Sequence, residues 1–206
     1  MSRVYAWDGI IPVIDPAAFV HPEAVVIGDV HIGPTVYVGP GCVLRGDFGR
    51  IILQAGCNVQ ETCVVHSFPE KDVIVEEFGH IGHGAVLHGC HIGRNAMVGM
   101  NAVIMDEAVI GENAIIAAMA FVKAGAQIPA NSLAVGSPAK VLRQLTEDEV
   151  EWKRRGTLIY QQLAREAQHK LTPAMALTKA ERGRKRAKSS DYDPLLLERK
   201  NFNEQP

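Results

Sequence analysis

From Val20 onward an aliphatic residue returns every six positions: Val20, Val26, Ile32, Val38 and Leu44. A three-residue insertion precedes Leu53, Val59 and Val65, and a four-residue insertion precedes Val75, Ile81 and Leu87. One residue is then dropped before Ile92, Val98, Ile104, Ile110, Ile116, Val122 and Ile128, which makes eighteen hexads. Four residues after each aliphatic the side chain is usually small, as at Ala24, Cys42, Cys57, Cys63, Ala96, Ala102 and Ala108. A six-residue period would precess around an α-helix of 3.6 residues per turn. In extended chain, the small residue and the next aliphatic are two apart and face the same way. The pattern therefore predicts short inward-pointing strands joined by Gly/Asn/Asp turns. A β-sandwich would not hold one phase through eighteen repeats.

The expected class is all-β, with a β-helix over 20–140 after a lead-in at 1–19. It resembles the left-handed parallel β-helix of hexapeptide-repeat proteins. That resemblance implies three hexads per coil, hence about six coils, and a hand opposite to the usual crossover rule. Gly136-Ser137-Pro138-Ala139-Lys140 closes the repeat. Thr146-Glu147-Asp148-Glu149 reads as a capping box and opens a C-terminal α-helix over 146–170, with Trp152, Ile159, Leu163 and Ala167 on its packing face. Gly156 costs that helix about 1 kcal/mol relative to Ala, so it is expected where the helix approaches the coil closely. The segment 171–206 is polar and basic, with the run Arg182-Gly183-Arg184-Lys185-Arg186-Ala187-Lys188, and is expected to be loosely ordered.

The 206 residues carry a formal net charge of −2, which gives no sign of a nucleic-acid partner. No apolar run approaches the roughly 18 residues of a membrane span, and the N-terminus lacks a signal-peptide pattern. Four cysteines without a CxxC pair fit free thiols in a reducing cytoplasm. Cys42, Cys57 and Cys63 fall at the small inward position and read as core filler.

Spacing singles out three of the eight histidines. His66 follows Val65 and His88 follows Leu87, three hexads later, so both point outward on successive coils about 4.8 Å apart. Arg45 falls in the same column. His83 lies around a corner from His88. One chain can hardly bring all three to a tetrahedral ion with nitrogens at about 2.0–2.1 Å. The economical solution is a homotrimer in which a neighbour supplies His83. Glu61, one coil before His83, is placed to orient that ring. His21, His31, His80, His91 and His169 read as structural or solvent-facing.

Arg45-Gly46-Asp47, Asn58-Val59-Gln60-Glu61, His66 and Gly82-His83-(four residues)-His88 resemble the gamma-class carbonic anhydrase signature. The resemblance implies His66, His83 and His88 as ligands of a divalent metal, zinc first with iron or cobalt as alternatives, between subunits of a homotrimer. It implies an Arg45–Asp47 pair near the interface and Gln60 on the metal's water. Glu61 stands where many members have Asp, and the loop Ser67-Phe68-Pro69-Glu70-Lys71-Asp72 lacks the family's acidic proton shuttle. Within this family the motifs look most similar to the phenylacetic-acid-degradation group (PaaY) and next to the carnitine-operon group (CaiE). The first implies a cytoplasmic metal-dependent thioesterase acting on acyl-CoA, with Gln60, Arg45, Asp47 and Glu61 around the reaction and the basic tail near coenzyme A phosphates. Arg45 and Asp47 could instead be purely structural, paired between subunits. The alternatives are a carbonic anhydrase (carbonate dehydratase) and a non-catalytic accessory protein of carnitine metabolism that retains a structural metal. Acyl transfer is common on this fold, but no residue pair here marks a transferase.

Overall fold

The computed structural model describes residues 3–186 and 192–195; the end of the basic run, Ala187 and Lys188, lies outside them. The hexads form a left-handed parallel β-helix whose strands make a 12-stranded and an eight-stranded sheet. Register is kept from coil to coil. Leu44, Val65, Leu87, Ile104 and Val122 stack in one inward column, and each is 0–1% exposed. The small inward position is filled as expected: Cys42, Cys57, Cys63 and Cys90 are all buried and unpaired. Burial pushes the Cys57 and Cys90 thiols up to about 12, so neither is a thiolate near neutrality.

At one corner Asn95, Asn113 and Asn131 take left-handed backbone angles with φ of 52°, 58° and 54°, which asparagine tolerates better than most residues. Their amides hydrogen-bond along the stack at 2.8 and 2.9 Å. The lead-in joins the fold as a partial first coil, with Arg3–Tyr5 and Val13–Ile14 paired in parallel with Val25–Ile32. The three-residue insertion is absorbed inside one strand, Val43–Leu53. The four-residue insertion falls in the connection from His66 to Val73, where the Ser67 hydroxyl donates to the Lys71 carbonyl at 2.5 Å. Ser132–Val135 and Lys140–Gln144 pair antiparallel and end the stack.

The C-terminal helix spans Glu147–Lys170, and its capping box is complete: Thr146 Oγ1 accepts from the Glu149 amide and Glu149 Oε2 from the Thr146 amide. Arg143 adds a two-pronged pair to Glu149 at 2.8 Å on each arm. Of the expected apolar face, Ala167 packs against Phe19, Tyr37 and Ala164, but most buried helix positions are other residues. Lys153, Gly156, Thr157, Gln161 and Ala164 are buried, whereas Leu163 is 40% exposed. The reason is chemical: coil turns present backbone carbonyls, so polar side chains fasten the helix there. Gln161 Nε2 donates to the Gly56 carbonyl at 3.0 Å, and Lys153 Nζ donates to the Phe78 carbonyl at 2.5 Å and to Asn95 Oδ1 at 2.9 Å. Gly156 faces Tyr192 rather than the coil, because a Cβ there would stand 2.6 Å from the Tyr192 hydroxyl.

Burial pulls the Lys153 amine down to about 7 and the neighbouring His80 down to about 3. Each folded value lies below its unfolded one, so the unfolded chain binds more protons between them. Stability therefore rises with pH, from about 3 to 6.5 for His80 and from about 7 to 10.5 for Lys153, with a slope of at most about 1.4 kcal/mol per pH unit for each group. Above about pH 8.5 the unfolded cysteines ionise while the buried Cys57 and Cys90 thiols do not, which opposes this gain. The comparison is therefore made below that range: urea titrations at pH 7 and pH 8 are expected to give a higher midpoint at pH 8. Lys153→Met is expected to flatten that difference, and an unchanged difference in the variant would show that other groups set it.

Candidate metal centre and the cleft beside it

Strands Val64–His66 and Val86–His88 pair in register, which sets His88 directly beside His66. His66 Nδ1 and His88 Nε2 are 3.2 Å apart. Each ring is held from behind by a carboxylate. Asp47 Oδ1 lies 3.1 Å from His66 Nε2, and Asp106 Oδ1 lies 2.6 Å from His88 Nδ1. An ionised carboxylate only accepts, so the outer nitrogen of each ring carries the proton. With both rings neutral the two facing nitrogens present lone pairs, which a cation between them, or a single shared proton, would bridge.

Two nitrogens on a tetrahedral ion with bonds of about 2.0–2.1 Å sit about 3.3 Å apart, close to the separation the fold provides. A carboxylate behind a ligand histidine fixes its tautomer and orientation, and His83 has the same support: Glu61 Oε2 lies 2.5 Å from its Nδ1. The Tyr37 hydroxyl donates to the other Glu61 oxygen at 3.1 Å. The donor set therefore fits a cation, but not within one copy. His83 follows the strand His80–Ile81 of the eight-stranded sheet, while His66 and His88 lie in the 12-stranded one. Among the described residues, no group of three or more His, Cys, Asp or Glu side chains could hold a metal ion in a single chain.

Arg45 Nη1 donates to Asp47 Oδ2 at 2.7 Å within the chain. Burial opposes ionisation of Asp47, but the Arg45 hydrogen bond and charge outweigh it and hold the carboxyl below its usual range. Burial and the Arg45 charge lower the His66 pKa, which favours the neutral, ligating imidazole. Phe48 and Phe68, 52% and 56% exposed, stand against the pair, with ring centroids 5.3 Å from His66 and 5.1 Å from His88.

Gln60 is not beside His66 and His88. It is buried, with Nε2 3.0 Å from Asn58 Oδ1 and 2.7 Å from His80 Nε2. It does share a cleft with His83. This cavity of about 570 Å³ lies between the coil and the C-terminal helix. Trp152, Ile159 and Leu163, the helix residues expected to pack on the coil, form its far wall. Sequence reasoning missed Asp106, which lies one position beyond Met105, the residue that the Leu87–Ile104 register aligns with His88.

A family model, Bacterial transferase hexapeptide (six repeats), matches residues 89–124. Carnitine operon protein CaiE of Salmonella dublin is 58% identical over 191 residues, covering 92% of this chain and 96% of that protein. The chain belongs to the CaiE family. CaiE of Salmonella newport matches over the same span at 57%. A hexapeptide transferase family protein from Anaplasma phagocytophilum, solved by crystallography, is 37% identical with a TM-score of 0.76, covering 79% of this chain and 96% of that one.

These relatives correct the finer expectations. Placement with PaaY gives way to CaiE, and the thioesterase of phenylacetate degradation goes with it. The hydrolase assignment, the gamma-class carbonic anhydrase placement and the zinc enzyme fall for the same reason. The relatives matched over most of the chain are carnitine operon proteins, and the solved relative is described as a transferase family member. Likeness of motif and fold does not by itself fix a reaction. No helix of the described residues is long and apolar enough to cross a membrane.

Proposed function

We propose that this CaiE-family protein is a non-catalytic accessory protein of carnitine metabolism, built as a homotrimer that holds a divalent cation between subunits. The observation that carries it is the facing pair of nitrogens on His66 and His88, each ring backed by a carboxylate. His83 of a neighbouring copy, backed by Glu61, is the third ligand.

The surface between these histidines supports the assembly. Val25, Val43, Val64, Val86, Val103 and Phe121 stack in register on the outward side of the coils, with Val64 42% and Phe121 37% exposed. Val86 stands between His83 and His88 in the chain. An outward apolar stripe of this length is a surface for a partner, and covering it with a second copy brings that copy's corner histidine toward the pair. A cation there supplies Lewis acidity and a cross-link. Asp47, Asp106 and Glu61 hold the ring protons outward, and Phe48 and Phe68 restrict water at the rim.

The cleft beside His83 is the approach to this centre, and Gln60 and His80 form its polar floor. Carnitine operon membership supports the pathway. The test is incubation of cation-loaded protein with a panel of acyl-CoA thioesters and a free-thiol reagent. Thiol release at the buffer rate is expected; release above that rate would overturn the non-catalytic reading.

A further inference from the structure

We propose that Tyr192–Leu195 is a removable strap, which closes the cleft beside His83 and competes there with a ligand carrying an apolar chain. The inference deepens the reading of that cleft as the approach to the cation and rests on it.

Three independent contacts show a surface shaped for the strap. The Tyr192 ring stacks on Trp152, with centroids 5.5 Å apart and planes at 19°. Trp152 Nε1 donates to the Asp193 carbonyl at 3.0 Å. The Tyr192 hydroxyl lies where any side chain on Gly156 would stand, since a Cβ would come within 2.6 Å of it. Glycine inside an exposed helix is otherwise costly, and the recess it leaves is filled by the tyrosine.

The described chain between the helix and residue 186 is exposed throughout. Among the described residues, the strap docks through aromatic and polar contacts at Tyr192 and Asp193. Tyr192 and Trp152 both line the cleft, whose remaining walls include Met97, Met100, Ile115, Ile159 and Leu163. Those walls suit an aliphatic chain and offer it few hydrogen-bonding groups. Tyr192 and Trp152 form one wall of the cleft, so an aliphatic chain that extends along the helix from His83 displaces the Tyr192 ring, and docked strap and such a ligand compete.

The test uses full-length protein carrying Trp7→Phe, which leaves Trp152 as the one remaining tryptophan of two. Into it go Tyr192→Ala, which removes the stacking ring, and Gly156→Ala, which fills the recess while favouring the helix. Both are expected to red-shift Trp152 emission and to raise binding of the apolar dye ANS several-fold. Decanoate, as an aliphatic probe, is expected to bind both variants more tightly than the parent. Unchanged emission and dye binding in both variants would overturn the strap. Cation content is measured on the same samples. A strap that fails with cation retained counts against this inference alone, and loss of the cation from the parent counts against the metal reading.

Discussion

Replacing His88 with alanine is expected to empty the cation site, taking metal content from about one ion per chain to a trace by elemental analysis. The change removes Nε2, one of two nitrogens that face each other at 3.2 Å, and strands Asp106 without its 2.6 Å partner. His66 and a neighbour's His83 are then two ligands for an ion that prefers four. Asp106→Ala keeps the nitrogen but frees the ring, so a smaller loss of about 10–100-fold in affinity is expected. His91→Ala is the control. His91 is also paired with a carboxylate, Glu76 at 2.8 Å, but it lies outside the His66–His88 column, and its loss is expected to leave metal content unchanged. Metal retained in full by the His88 variant would remove the facing pair from the site.

Leu87→Ala is expected to cost about 3–5 kcal/mol of unfolding free energy. Leu87 is fully buried and sits in register between Val65 and Ile104. Its neighbours cannot close the gap easily, because each is pinned by parallel pairing to the coil beyond. The destabilisation thus belongs to the high end of the large-to-small range, where the cavity persists. Leu87 also precedes His88, so the loosened coil should weaken cation binding. A denaturant midpoint falling with little change in slope is the expected signature. A loss under about 1 kcal/mol would mean that the coils slide to fill the void.

The six-residue period gave the strands, the inward column and the in-register pairing of His66 with His88, because one repeat dictates both pleat and stacking. It did not give Asp106, which lies one position beyond the residue that the register sets beside His88. The helix was found from its capping box, but its apolar face meets the coil directly only at Ala167 and otherwise lines the cleft, whereas turn carbonyls select Lys153 and Gln161 for close contact. Arg45 and Asp47, read as a pair, do meet within one chain, because two residues on one strand reach each other across Gly46. Reaction chemistry was the least readable layer, since a fold and its motifs do not by themselves fix a reaction.

Native mass spectrometry of protein purified with a divalent cation tests the trimeric metal centre most directly. Three chains carrying three cations are expected, with dissociation of the trimer when a chelator removes them. A monomer that retains a full complement of metal, or a trimer that binds none, would contradict the shared His66–His83–His88 centre.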